Sequence, residues 1–189
     1  MLAPAALPQL SDLEPEPARP TEPEPLPVGL LADIAAGIAQ VPDSWRHLVR
    51  HDPSQRRPVR LLATEAYEVW VIGWTSGQHV RPHDHGGSAA VVLVTDGELV
   101  EVNLLGNPRR LAAGSMLRLG PGVIHDVLNQ GDEPATSIHV YSPPLSEMTY
   151  YDPDTWQPDE TVHVEQETPV LSGWQGANLL HPARVRAAS

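Results

Sequence analysis

From Val59 onward the sequence is divided into short apolar segments by turn residues. Seven segments are rich in valine, isoleucine, leucine and aromatic residues, namely 59–63, 67–74, 89–95, 98–104, 116–119, 123–128 and 136–141. Asp96-Gly97 lies between two of them and is a typical hairpin turn. Because no helical pattern separates these segments, the sequence predicts an all-β protein built as an antiparallel sandwich or barrel.

The residues before this region predict a tail and a few short helices. Residues 1–27 are dense in proline and acidic residues, which favours a disordered or extended segment, although a partner-binding tail is the alternative. Apolar residues then recur at helical spacing, at Leu30, Leu31, Ile34, Ile38 and Val41. A second helix is predicted to begin at Asp43 or Ser44. We therefore expect a disordered tail at 1–27 and a single domain at 28–189.

The composition excludes several kinds of partner and site. The chain has 189 residues and a formal net charge of −12, which argues against nucleic acid or an anionic membrane as a partner. It contains no cysteine, so it can form neither a disulfide nor a thiolate metal site. No pattern typical of a signal peptide or a membrane span is present. We expect a cytoplasmic protein, and a monomer.

Two histidines one residue apart are the first candidate for chemistry. In a β-strand, residues i and i+2 point to the same face, so His83 and His85 can converge on one point while Asp84 faces away. Converging imidazoles are typical of a divalent metal site. The alternative is a pair of solvated histidines on an edge strand. His125 follows a glycine-rich turn and is a further candidate.

A second polar group lies on the segment at 136–141. Ser137, His139 and Tyr141 share one face of this apolar segment by the period of two. Such an arrangement predicts a hydrogen-bond relay. The alternative is three polar residues on the outer face of an edge strand, and the spacing alone does not choose between them.

These residues lie in two motifs that resemble those of the cupins. The first motif, G-x5-H-x-H-x3,4-E-x6-G, is matched at Gly77, His83, His85 and Gly97. The second, G-x5-P-x-G-x2-H-x3-N, is matched at Gly114, Gly122, His125 and Asn129. There are two departures, since Gly120 replaces the proline of the second motif and Ala90 replaces the glutamate of the first.

The loss of that glutamate, together with the segments HDHGGS and SIHVYSPP, resembles the cysteine dioxygenase family of thiol dioxygenases. The resemblance covers roughly 30–150. It implies a small cupin jelly-roll barrel that carries two or three N-terminal helices. It also implies one Fe²⁺ per chain on His83, His85 and His125, and conversion of a thiol and O₂ to a sulfinate. Zinc would suit the same three ligands, so the iron assignment rests on the resemblance.

The resemblance also implies roles for other residues. Arg60 matches the arginine that holds the substrate carboxylate in this family, and Pro58 replaces a tyrosine of that family. Ser137, His139 and Tyr141 match a relay whose tyrosine lies near the iron. In some members that tyrosine is crosslinked to a cysteine, whose position is held here by Ala90, so this chain cannot form the crosslink.

We therefore expect an iron-dependent dioxygenase that oxidises L-cysteine with O₂ to cysteine sulfinate. The first alternative is a 3-mercaptopropionate dioxygenase, and Arg60 argues against it because those relatives carry glutamine at that position. The second alternative is a cupin that binds zinc or nickel and oxidises nothing.

Overall fold

The structure is a computed structural model that describes residues 24–104, 106–165 and 168–171. It begins with one α-helix, α1 (Val28–Ala39), and two short 3₁₀ helices at Pro42–Ser44 and Arg46–Leu48. These helices confirm the predicted helical start of the domain. Among the described residues, no helix is both long and apolar enough to cross a bilayer.

Eleven strands make up the rest of the described chain. In chain order they are β1 (Val59–Ala63), β2 (Glu68–Trp74), β3 (His79–His83), β4 (Ala89–Asp96), β5 (Glu98–Asn103), β6 (Pro108–Ala112), β7 (Met116–Leu119), β8 (His125–Leu128), β9 (Ala135–Ser142), β10 (Glu147–Tyr151) and β11 (Pro158–His163). Each of the seven segments predicted as strands overlaps one of them. β3, β6, β10 and β11 are not among those segments, because their sequences are rich in polar residues or proline and lack an apolar run.

The strands form two sheets in which all pairs are antiparallel. One sheet has the order β1-β2-β9-β4-β7, and the other has the order β11-β10-β3-β8-β5-β6. This arrangement confirms the predicted all-β jelly-roll. β9 lies in the middle of its sheet between β2 and β4, and all of its residues are buried. The alternative that placed Ser137, His139 and Tyr141 on an exposed edge strand is therefore wrong.

The five-stranded sheet has two buried faces. On β2, Val69 and Val71 belong to a core that includes α1, whereas Trp70, Ile72 and Trp74 belong to a core that is shared with the second sheet. This separation follows from the period of two along a strand. Burial on both faces explains why β2 and β4 are apolar runs without a clear polar alternation. Polar groups on the inner face of these strands consequently lie inside the barrel.

The last residues of the predicted tail contact the described domain. Leu26 packs against the core around α1, and its backbone N–H donates to Ser142 Oγ at 2.9 Å. The carbonyl of Pro27 accepts from the N–H groups of Leu30 and Leu31 and so begins α1. Leu26 and Pro27 thus contact the domain, and the division into a tail at 1–27 and a domain at 28–189 stays a prediction. The rest of the predicted tail, residues 1–23, lies outside the described residues.

The loop before β1 is held against the five-stranded sheet. His51 Nε2 lies 3.1 Å from the carbonyl of Ala135 and 3.2 Å from Thr136 Oγ1. Gln78 Nε2 donates to the carbonyl of Asp52 at 2.7 Å. At Gly73 the backbone of this loop comes so close that an added Cβ would lie 2.4 Å from the carbonyl oxygen of Arg50. These contacts fix the path of the loop that leads to Arg56.

Candidate metal centre and its cavity

Three buried histidines meet at one point inside the barrel. His83 ends β3, His125 begins β8 directly opposite it, and His85 lies two residues beyond the end of β3. One ligand nitrogen from each residue lies within 4.8 Å of the others. The three ring centroids are separated by 4.5–5.2 Å. The predicted ligands are brought together, although His85 reaches the centre from a turn and not from a strand face.

Burial keeps the three imidazoles neutral. Desolvation lowers the pKa of His83 to about 4, and it lowers the pKa values of His85 and His125 well below the ordinary value. The neighbouring histidines act in the same direction on His85 and His125, because each would repel the other's proton. Neutral imidazole nitrogens present lone pairs, which is the state that a metal requires of its ligands.

The surroundings of the histidines fit a divalent metal. His83 Nδ1 lies 2.9 Å from the carbonyl of Arg81, so in the neutral ring this nitrogen carries the proton and Nε2 is free to bind. Neither ring nitrogen of His125 has a hydrogen-bond partner among the described residues, although the side chain is only 1% exposed. A metal ion bound to His125 would provide the missing partner for one of these buried nitrogens.

Asp84 braces the turn between the two histidines. Its carboxylate accepts from the backbone N–H of Gly86 at 2.8 Å and from the hydroxyl of Tyr151 at 2.5 Å. The Asp84 backbone N–H donates to the carbonyl of Thr149 at 2.9 Å. These bonds tie the histidine turn to β10 and support the prediction that Asp84 faces away from the centre.

The predicted relay forms a continuous hydrogen-bonded chain. Ser137 Oγ lies 2.8 Å from His139 Nε2, and His139 Nδ1 lies 3.0 Å from the Tyr141 hydroxyl. Trp74 Nε1 donates to Ser137 Oγ at 2.8 Å. We assign the serine proton to a bond with His139 Nε2, because the opposite tautomer would leave this buried hydroxyl proton without an acceptor among the described residues. His139 then carries its proton on Nδ1 and donates it to the phenol oxygen.

The relay ends beside the three histidines. The ring centroid of Tyr141 lies 5.0 Å from that of His85. With its oxygen already accepting from His139, the phenol has its own proton available for an acceptor in the cavity. Burial is the main cause that raises the pKa of Tyr141, and the charge of Glu68 adds to it, so the phenol stays protonated. Burial lowers the pKa of His139 to about 3, which keeps its ring neutral.

The histidines and the relay open into one cavity of about 190 Å³ between the two sheets. Its lining is mostly apolar or aromatic, from β2, β3, β8 and β10. Among the described residues that line it, no aspartate or glutamate is present, and Arg56 alone carries a permanent charge. Ala90, which replaces the motif glutamate, is buried in the core opposite Tyr141 and adds no charge. The cavity suits a small molecule.

Arg60 lies outside this lining. Its guanidinium Nη2 is 2.7 Å from Glu68 Oε2, and the two side chains are 7% and 0% exposed. The other oxygen of Glu68 accepts from the backbone N–H of Leu145 at 2.9 Å. The prediction that Arg60 is the cation in the mouth of the barrel is therefore not supported by its position, because a buried carboxylate already neutralises it. A role for Arg60 in substrate binding stays a prediction.

Sequence reasoning missed three residues around the cavity. Arg56 lies in an irregular loop, and no local pattern indicates where its side chain points. Tyr150 lies on β10, one of the strands that the sequence did not reveal. Glu68 could have been found, because a carboxylate within an apolar strand needs a buried partner.

Comparison with known proteins places the centre within a recognised domain. Residues 70–141 match the family model described as the cupin domain. This range contains all three histidines as well as Ser137, His139 and Tyr141. It omits Arg56, Arg60 and β10.

Several solved structures are similar to the barrel. The TT1209 protein of Thermus thermophilus is 26% identical, with a TM-score of 0.49, over 52% of this chain and 93% of its own. An uncharacterised conserved protein with a double-stranded β-helix domain, from Klebsiella pneumoniae, is 22% identical with a TM-score of 0.49, over 64% of this chain and 94% of its own. A cupin superfamily protein of Desulfitobacterium hafniense is 15% identical with a TM-score of 0.47, over 52% of this chain and 87% of its own. Similarity at this level gives no information on activity. The two-sheet topology and the domain match together show that the described chain has the cupin fold, with a three-histidine group inside it that can hold a metal ion.

Proposed function

We propose that the protein is an iron-dependent thiol dioxygenase that oxidises L-cysteine with O₂ to cysteine sulfinate. The observation that carries this proposal is the donor set, which consists of three neutral imidazoles with no carboxylate among the described residues of the cavity. A ferrous ion on these ligands would keep its full double positive charge, hold the thiol as a thiolate and supply the redox chemistry with O₂. An anionic substrate thus takes the place of the anionic side chain that is absent at Ala90.

The relay supports a reaction in which a proton must be held beside the reacting atoms. Tyr141 lines the cavity next to His85, and its hydroxyl is held by His139, which is held in turn by Ser137. A buried donor of this kind stabilises negative charge that develops on a substrate oxygen or sulfur. A cupin that only stores metal has no need for such a chain, and this favours an enzyme.

The mostly apolar lining adds two further contributions. The aromatic and aliphatic side chains exclude water, which strengthens each electrostatic contact inside the cavity. The small volume restricts the substrate to a molecule of a few heavy atoms. The cavity does not by itself separate L-cysteine from 3-mercaptopropionate, because Arg60, which argued for cysteine, is paired with Glu68.

One sample of purified protein tests the proposal against both alternatives. We expect about one iron per chain and O₂ consumption that depends on added L-cysteine and yields cysteine sulfinate. Preference for 3-mercaptopropionate would keep the reaction and change the substrate. Protein that holds zinc or nickel, and that consumes no O₂ with any small thiol after reloading with iron, would indicate the non-oxidising cupin.

A further inference from the structure

Arg56 brings an uncompensated positive charge to the cavity. It lines the cavity, its guanidinium carbon lies 5.1 Å from the ring centroid of Trp74, and it forms no ion pair within the described part of the chain. Tyr141 and Tyr150 line the same cavity as Arg56. Burial lowers the pKa of Arg56, and these two tyrosines act in the opposite direction. A half-buried cation without an anion is unfavourable, and an anionic ligand would relieve that cost.

Tyr150 lines the same cavity. It pairs with His83 across β10 and β3, and its ring centroid lies 6.1 Å from that of His83. Its hydroxyl lies 4.0 Å from Met148 Sδ, a weak acceptor, and this is its one hydrogen-bond partner among the described residues. The phenol proton is thus available for a stronger acceptor.

The orientation of Tyr150 is fixed from outside the cavity. The guanidinium carbon of Arg81 lies 4.8 Å from the ring centroid of Tyr150. Arg81 is held in turn by the carboxylates of Asp159 and Glu160 on β11. A donor that is held in place before the ligand arrives loses little conformational entropy on binding.

We propose that Arg56 and Tyr150 form a second anchoring point that binds the carboxylate of a small thiol acid while the thiol lies at the three histidines. The inference rests on the proposed function and assigns the residues that hold the carboxylate of its substrate. The guanidinium supplies charge and paired N–H donors, and the phenol adds a neutral donor. The assignment replaces Arg60, which is committed to Glu68.

The test compares Arg56→Met and Tyr150→Phe with the wild type, each loaded with iron. Binding of L-cysteine and of 3-mercaptopropionate is measured by calorimetry without oxygen, and KM and kcat are measured with oxygen. Because Arg56→Met would remove hydrogen bonds to a charged group, we expect it to raise Kd and KM for both acids by about ten- to a hundredfold. Tyr150→Phe is expected to raise them by a smaller factor. Iron content and melting temperature should stay unchanged.

Cysteamine separates loss of the anchor from general damage. It has the same thiol and amine as cysteine but no carboxylate, so it should be a poor substrate whose parameters change little in either variant. Arg57→Met is the matched control, because Arg57 lies in the same loop but is exposed and paired with Asp52 at 2.6 Å. It should behave like the wild type with all three thiols.

The possible results distinguish failure of the carboxylate anchor from failure of the proposed reaction. If the wild type oxidises cysteine and Arg56→Met binds it equally well, the anchor is wrong and the proposed function stands. If no thiol is oxidised but Arg56→Met weakens the anaerobic binding of 3-mercaptopropionate, the anchor stands and the proposed function fails. The anchor would also be wrong if Arg57→Met weakened binding of the two acids as much as Arg56→Met does. The same holds if Arg60→Met were the one variant that lost the preference for the two acids over cysteamine.

Discussion

The Tyr141 hydroxyl ends the relay, and its ring lies beside that of His85. Replacement by phenylalanine keeps the buried ring and removes the donor, so iron content and fold should be retained. We expect kcat to fall by roughly 10²- to 10³-fold, the usual effect of deleting one oriented donor to developing charge. Steady-state O₂ consumption measures the effect, and Tyr67→Phe, a buried tyrosine in the other core, is the control. An unchanged kcat in Tyr141→Phe would make the relay a structural feature.

Arg60 and Glu68 form a pair whose two members should be tested together. Arg60→Met leaves the carboxylate of Glu68 buried without its cation, and breaking such a pair costs about 3–5 kcal/mol of unfolding free energy. The double variant with Glu68→Gln keeps an acceptor for Leu145 and removes the stranded charge, so most of the stability should return. Urea denaturation measures each variant. A double variant that regains stability but has a high KM for cysteine would instead give Arg60 a role in binding the substrate.

At the scale of elements, the loop that carries Arg56 depends on the absence of a side chain at Gly73. A Cβ at that position would lie 2.4 Å from a backbone oxygen, which cannot move aside as a flexible side chain does. We expect Gly73→Ala to cost about 1–3 kcal/mol. Gly29→Ala is the matched control, because nothing lies within 4 Å of that Cβ on α1 and alanine favours a helix. Equal unfolding free energies for the two variants would show that the loop does not pack on β2 in this way.

The segment before α1 gives a second prediction at this scale. Deletion of residues 1–27 should lower the unfolding free energy by about 1–3 kcal/mol relative to deletion of 1–23. The longer deletion removes Leu26, and with it the hydrogen bond to Ser142 and the apolar contacts with the core around α1. Thermal and urea denaturation of the two truncated proteins measure the difference. Identical unfolding free energies for the two truncated proteins would support the domain boundary at residue 27 that the sequence predicts.

For the whole molecule, local patterns predicted the parts of the site that lie on regular strands. The alternation on β9 placed Ser137, His139 and Tyr141 on one face, and the motif spacings identified the three histidines. The position of Arg56 could not be predicted in this way, because its loop is held by contacts with residues more than eighty positions away, at Ala135 and Thr136. Similarly, the pairing of Arg60 with Glu68 depends on how β1 and β2 come together.

We propose that this cupin-fold protein adds both atoms of O₂ to the sulfur of a small thiol. The most direct measurement is the mass of the product formed from L-cysteine under ¹⁸O₂ by the iron-loaded protein. We expect a sulfinate that carries two ¹⁸O atoms, and no such product when zinc replaces iron or when His125→Ala removes a ligand. Cystine as the only product, or a sulfinate without ¹⁸O, would contradict the account.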